Sequence, residues 1–295
     1  MKYETVLKMW IKEKKLHVRN STYKNYLSLI DSHISNYFKD IDVENITIDG
    51  IKQFIFKKIS EIDSSSCLNL QKVLKQSLEY AVENDFISET PYRKIKLPKQ
   101  TTKEVEIFKK EEIEKILNTK NIYTKYANIV DIAYRTGMRI GEIMALKWQD
   151  INFENNFLTV RHTYSKYDNG VPVIEEAKSK SSKRRIDLDS QCMKIFQEIK
   201  HTHTSDFVFC NKSGTMLSYT AITRNFRKMC EEANVPYRSF HTLRHTHASI
   251  LLSNGVHPKI VQERLGHSKI SITLDTYSHL VPTMQQVVVE LFNQL

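Results

Sequence analysis

The chain has 295 residues, 40% of them apolar, and carries 44 Lys and Arg against 34 Asp and Glu, a formal charge of +10. That length suits two domains with real cores, and the basic surplus favours a polyanionic partner. The lack of a long apolar run speaks against a membrane span, and four scattered cysteines without a Cys-x-x-Cys speak against a zinc ribbon or a disulfide framework.

The first residues, Met-Lys-Tyr-Glu, mix acids and bases ahead of any apolar stretch, unlike a signal peptide. Helical spacing then predicts four helices. The first runs from Thr5 to Lys15, with Val6, Met9 and Trp10 on one face. The second follows Ser21 as N-cap and carries Tyr23, Tyr26, Leu27, Ile30 and Ile34. The third follows Thr47 and carries Ile48, Ile51, Phe54, Ile55 and Ile59. The fourth spans about Ser64 to Asn84, with Leu68, Leu70, Leu74, Leu78 and Val82. Residues 1–90 thus form a small all-α domain.

Periodicity stops at 91–104, where two prolines and several bases predict an interdomain linker. A second domain begins near 105. Helices are expected at Glu111–Leu117 and Tyr126–Arg135, with Gly137 as breaker, and then at Ile140–Leu146. Short β-type segments follow at 151–153, 157–161, 171–174 and 185–188, with turn signals at Asn155-Asn156 and Asn169-Gly170. Helices return at 191–200, 219–233, 242–253, 259–265 and 270–277. The expected fold is mainly α with a small antiparallel β-sheet, an α+β second domain at 105–280, and an apolar tail at 281–295.

Five residues stand out by chemistry and order. Arg139 lies in Thr-Gly-Met-Arg-Ile-Gly-Glu, His241 and Arg244 form His-x-x-Arg, His267 closes Leu-Gly-His, and Tyr277 follows ten residues later. Attack on a phosphodiester needs a nucleophile, stabilised non-bridging oxygens and a proton for the leaving group. Arginine suits the oxygens because its planar fork donates paired hydrogen bonds and stays charged. Histidine moves protons near neutral pH. Tyrosine, with a pKa of about 10, needs such help to act as a nucleophile. The basic run 177–185 supplies lysines for the leaving oxygen. His241 and His245 are spaced i, i+4, but without the Glu of a His-Glu-x-x-His motif the metal assignment is none. His245 and His247 read as structural or surface groups. No phosphate-cradling Gly-x-x-x-x-Gly-Lys loop is present, so no cofactor is expected.

These motifs, in this order, resemble the tyrosine recombinase, or phage integrase, family over residues 105–280, and the helical first domain resembles that family's core-binding (SAM-like) domain. The resemblance implies a two-domain DNA clamp that cleaves and rejoins DNA through a 3′-phosphotyrosine, with no metal or nucleotide. It implies that Arg139 and Arg244 bind the scissile phosphate, His241 assists proton transfer, His267 binds the phosphate, Tyr277 attacks, and Glu142 orients the bases. The first lysine of Lys-x-Lys-Ser-Ser, Lys178, is the implied general acid, with Lys180 as runner-up. Lys180, Lys183 and Arg184 are candidate DNA contacts. Asp187 stands where the family often has proline.

The partners implied are double-stranded DNA at paired sites, a homotetramer, and an excisionase or host DNA-bending protein, with no membrane and a cytoplasmic, nucleoid-associated location. The chain resembles mobile-element integrases, without the additional N-terminal arm-binding domain that many of them carry. A Xer-like dimer resolvase is the alternative within the class, and a noncatalytic DNA-binding regulator is the alternative outside it. The apolar tail, Val287–Val289, Leu291, Phe292 and Leu295, is expected either to pack on its own domain or to dock on a neighbouring protomer.

Overall fold

A computed structural model of the chain describes residues 1–18, 20–94, 106–168, 171–176, 183–277, 289 and 292–293. The chain divides into two compact units, 1–103 and 104–295. No helix among the described residues is long and apolar enough to cross a membrane.

The first unit is helical: α1 (Tyr3–His17), α2 (Asn20–Leu29), a π turn at Ile30–Ile34, α3 (Ser35–Phe38), α4 (Ile48–Glu61) and α5 (Ser64–Glu83). Thr47 caps α4, its Oγ1 accepting the Gly50 N–H at 3.1 Å. Asp63 caps α5 by accepting from the amides of Ser65 and Ser66, which satisfies donors that a helix start leaves orphaned. Ser21 lies inside α2 and is not its cap.

The core of this unit comes mostly from the expected helical stripes, but Met9 and Ile59, expected on them, are exposed. Tyr3, Val6, Leu7 and Trp10 of α1 share one core with Ile51, Phe54 and Ile55 of α4 and Leu70, Leu74 and Leu78 of α5. Each such fully buried aliphatic or aromatic side chain contributes about 1.5–3 kcal/mol. Leu68, expected on the same stripe, is exposed: position 67, a buried Cys, takes the inward place one residue earlier.

The second unit opens with α6 (Lys110–Leu117), α7 (Lys120–Thr136) and α8 (Ile140–Met144). Next come β1 (Ile151–Asn152), β2 (Phe157–Val160), β3 (His162–Asp168), β4 (Val171–Glu176) and β5 (Arg184–Asp187). The chain then forms α9 (Ser190–Lys200), α10 (Tyr219–Glu232), α11 (Thr242–Ser253), α12 (Pro258–Leu265) and α13 (Ile270–Tyr277). The strands make two small antiparallel sheets where one was expected: β1-β2-β5, and the pair β3-β4. In the first, Phe157 faces Asp187 and Val160 faces Arg184, and Leu158, Val160 and Ile186 point into the core. The β3 strand was not expected because His-Thr-Tyr-Ser-Lys-Tyr-Asp has no apolar alternation to mark it.

Two tight approaches hold this unit's functional end together. Gly137 ends α7 in the left-handed region at φ 66°, where a side chain is strained. A Cβ there would lie 2.7 Å from both His247 Cδ2 and Leu265 Cδ2. Gly141, in α8, lets strand β3 come close: a Cβ on it would lie 2.8 Å from the Tyr164 carbonyl oxygen.

Candidate active site

The turn at Gly137 delivers Arg139 to the first position before α8. Glu142, one turn on, accepts the Arg139 backbone N–H on Oε2 at 2.8 Å and the Arg139 Nη1 on Oε1 at 2.9 Å. Arg139 Nη2 reaches the Gly266 carbonyl at 3.4 Å. The guanidinium is thus steered by α8 and by the loop after α12 while its side chain stays 38% exposed, open to a ligand.

Glu142 is itself buried and shared. Arg184, from β5, donates Nη1 to Oε1 at 2.9 Å and Nη2 to Oε2 at 2.8 Å, and its Nε donates to the Arg264 carbonyl at 2.6 Å. Burial alone works to raise the Glu142 pKa, but the hydrogen bonds and charges of Arg184 and Arg139 outweigh it and hold the carboxyl down at about 2. Arg184, a candidate DNA contact by sequence, makes an internal ion pair here. Its side chain is buried and its fork is committed to Glu142. A run of bases reads as solvated in sequence, and alternation along β5 is what turns this one inward.

Arg244, on α11, is also buried, 3% exposed. It donates Nη1 to the Gly137 carbonyl at 2.8 Å and Nη2 to the Leu265 carbonyl at 2.7 Å. Burial, then the charge of Arg139, lowers its pKa to about 9, so it remains a cation at neutral pH. Three guanidiniums (Arg139, Arg184 and Arg244) gather around the Glu142 carboxylate. The surplus is positive, and it suits an anion with several oxygens.

His267 follows Gly266, a left-handed α12 cap at φ 70°. Its Nδ1 shares a hydrogen bond of 2.8 Å with the Thr273 hydroxyl. Burial and the surrounding arginines push its pKa down to about 3, so the ring is neutral at pH 7. His241 sits at the N-terminal end of α11, where solvent still reaches it. Packing around it, then the charges of His245, Arg244 and Arg139, lowers its pKa as well.

Tyr277 ends α13 and is 1% exposed, packed with Ala248, Leu252, Val261 and Leu265. Burial raises its phenol to about 12, partly offset by Arg244. Its hydroxyl hydrogen-bonds Nδ1 of His245 at 2.5 Å. His245, expected as a structural or surface group, thus touches the tyrosine, while His241 meets the His245 ring edge-on at 4.8 Å between centroids. Nothing in the sequence marks a contact across 32 positions.

His247 supports the scaffold. The Tyr134 carbonyl must accept a hydrogen bond from Nδ1–H at 2.8 Å, which leaves Nε2 to accept one from Arg264 Nε–H at 3.1 Å. Those two bonds specify a neutral imidazole with its hydrogen on Nδ1. Arg264 also donates to the carbonyls of Asp187, at 3.2 Å, and Arg135, at 3.1 Å, so it ties α12 to α7 and β5. Sequence reasoning missed Arg264, whose contacts are all long-range.

Beside His267 lies a cavity of about 620 Å³ whose walls include Lys183, Arg185, Lys259 and Arg264. Lys183 is exposed there. Lys178 and Lys180 fall outside the described residues, as does most of the tail beyond Tyr277. Among the described residues no cluster of three or more His, Cys, Asp or Glu side chains is placed to hold a metal ion.

Comparison with known proteins adds relatives to this geometry. Residues 106–284 match the model of the phage integrase family, and residues 2–59 match that of a phage integrase N-terminal SAM-like domain. A tyrosine recombinase XerC-like protein of Caldanaerobacter subterraneus is 30% identical, the alignment covering 90% of this chain and 76% of the relative. The ICEBs1 integrase of Bacillus subtilis is 25% identical over 99% of this chain and 83% of the relative. Among solved structures, the Tn1549 transposon integrase in complex with transposon right end DNA superposes with a TM-score of 0.85 at 22% identity, covering 100% of this chain and 99% of that one. A lambda integrase dimer bound to a core site superposes with a TM-score of 0.73 at 19% identity, covering 91% and 96%.

Proposed function

The chain belongs to the phage integrase family, and we propose that Tyr277 is the residue with which it breaks and rejoins DNA. The enzyme is a tyrosine-type site-specific recombinase of the kind that mobile elements use. What carries the assignment of Tyr277 is one observation: its buried phenol is hydrogen-bonded to Nδ1 of His245, the residue next to Arg244 on α11.

In the proposed reaction Arg139 and Arg244 bind the non-bridging oxygens of the scissile phosphate, and His267 donates a further hydrogen bond. Glu142 and Arg184 hold Arg139 and the β5 edge in register. The Tyr277 oxygen attacks phosphorus, and the bond to the 5′-oxygen breaks. That oxygen takes a proton from a general acid, for which Lys178 is the proposal and Lys180 the runner-up. The product is a 3′-phosphotyrosine, which a 5′-hydroxyl reverses by the same route. Phosphoryl transfer of this kind depends on positioning and charge stabilisation, which buried, hydrogen-bonded arginines supply.

The assembly proposed is a homotetramer on two double-stranded sites, since lambda integrase has been solved as a tetramer bound to a Holliday junction. An excisionase or a host DNA-bending protein is the proposed accessory partner, and residues 281–295 are the proposed docking tail between protomers. The 30% identity to a XerC-like recombinase favours dimer resolution as the second reading.

A suicide substrate nicked near the cleavage site tests the assignment. Wild type is expected to accumulate a covalent protein–DNA complex, and Tyr277→Phe none while still binding DNA. A complex formed by Tyr277→Phe, or none formed by wild type, overturns it.

A further inference from the structure

The hydrogen-bond partner of the Tyr277 hydroxyl is Nδ1 of His245, not His241 of the His-x-x-Arg motif. One turn of α11 separates the two histidines, and the turn sorts them. His241 stands at the exposed helix start, its ring nearly perpendicular to that of His245. His245 lies deeper, between His241 and the Tyr277 ring, 5.8 Å from the latter between centroids.

We infer that His245 is the general base of strand cleavage, its Nδ1 taking the phenolic proton as the Tyr277 oxygen bonds to phosphorus. This rests on Tyr277 being the nucleophile. In the step, the O–H bond of Tyr277 breaks and its proton passes to His245 Nδ1, giving an imidazolium. The new bond joins the phenol oxygen to phosphorus, the old bond to the 5′-oxygen breaks, and a separate acid protonates that oxygen. On rejoining, the incoming 5′-hydroxyl loses its proton to that acid's conjugate base. The departing phenolate then recovers its own proton from His245.

The charges around the ring agree with this role. Burial, then Arg244, lowers the pKa of His245, which favours the neutral ring, and the tautomer with its hydrogen on Nε2 presents Nδ1 as an acceptor to the phenol. Among the described residues, the titratable or charged groups facing it are His241 and Arg244 from its own segment and Tyr277 from α13. The phenol, raised by burial, is too weak an acid to ionise beforehand. Transfer therefore accompanies attack, when bonding to phosphorus makes the phenol far more acidic, as general-base catalysis requires. The imidazolium formed beside Arg244 is offset by the phosphodiester charge that has by then entered.

Single-turnover cleavage of the nicked suicide substrate tests the inference with His245→Ala, His245→Gln and Tyr277→Phe, each checked for DNA binding by gel shift. Glutamine can still accept a hydrogen bond from the phenol but cannot take its proton. Both His245 variants are expected to bind DNA and to cleave about 10²-fold or more slowly, the usual size of a general-base contribution. The same deficit is expected on a substrate with sulfur as the 5′-bridging atom, since a thiolate leaves without a proton. The wild-type rate is expected to fall in acid, below the ordinary imidazole range, as His245 protonates, and this limb should vanish in His245→Gln.

Wild-type speed in His245→Gln overturns the inference and makes the residue one that only positions the phenol. A deficit that disappears with the sulfur substrate overturns it by moving His245 to the leaving-group side. A covalent complex formed by Tyr277→Phe would instead overturn the nucleophile assignment beneath it.

Discussion

Glu142 and Arg184 face each other through both carboxylate oxygens, at 2.9 and 2.8 Å, with both side chains buried. The pair joins α8 to β5, and through the Arg139 amide and guanidinium it reaches the half-exposed arginine proposed to bind the phosphate. A buried carboxylate here neutralises repulsion among arginines that a ligand alone would otherwise have to balance.

Glu142→Gln should therefore destabilise the resting protein, by about 3–5 kcal/mol, because it strands a buried guanidinium. The pH dependence has a definite sign. The folded-state pKa, about 2, lies below the ordinary value of 4.5. The unfolded chain thus binds the proton first as pH falls. The stabilisation is complete above about pH 4.5 and disappears as pH falls from there toward about 2. Urea unfolding at pH 7 should show a wide gap between wild type and Glu142→Gln, and the gap should narrow at pH 3. An equal gap at both pH values would contradict the pairing.

Gly137 offers a test of how strictly the arginines depend on backbone. Gly137→Ala meets a left-handed φ and two contacts at 2.7 Å. Left-handed backbone costs about 1–2 kcal/mol and overpacking about 1–3 kcal/mol, so a loss of about 2–5 kcal/mol is expected. Gly255→Ala is the control, since it has a similar φ of 76° and nothing within 4 Å of the added carbon; about 1–2 kcal/mol is expected there. Cleavage should also drop in Gly137→Ala, because the Gly137 carbonyl anchors Arg244. Equal melting shifts in the two variants would remove packing as the cause.

Much of this architecture is legible from residue order. The stripes of α1, α4 and α5, the break at Gly137 and the span of α13 follow from apolar spacing and glycine, which are local signals. What stays hidden is what depends on distant partners. Strand β3 gains its place from pairing with β4 and from the bare Gly141 beside it, not from its own composition. Arg184 lies in a run of bases that looks uniformly solvated until strand alternation buries it. His245 is one of five histidines within 27 residues, and only the folding of α13 against α11 separates it from the others.

Arg244→Lys should expose the difference between charge and shape. The arginine holds two carbonyls on different segments, Gly137 and Leu265, at once. A lysine ammonium keeps the charge but lacks the planar fork. Single-turnover cleavage is expected to fall by about 10²-fold or more with little change in DNA affinity, and Arg139→Ala should behave alike. If Arg244→Lys cleaves as wild type does, charge alone suffices and the fork geometry is irrelevant.

Thr273 addresses whether His267 works by being held. The threonine is wholly buried, and its hydroxyl is the partner of His267 Nδ1. Thr273→Val keeps the volume and removes that partner. An unpaired buried nitrogen costs about 1–3 kcal/mol, and the imidazole can escape part of that only by turning toward water. Turning would carry Nε2 away from its present direction, toward which the proposed phosphate contact is made. The expected result is a modest loss of stability and a cleavage rate at least about tenfold lower, with DNA binding retained. Thr273→Ser, which keeps the hydroxyl, should recover most of the rate while losing some packing. If valine and serine variants cleave alike, the hydroxyl does not orient His267, and the ring is fixed instead by its backbone, through the Gln262 carbonyl that accepts its N–H at 3.0 Å.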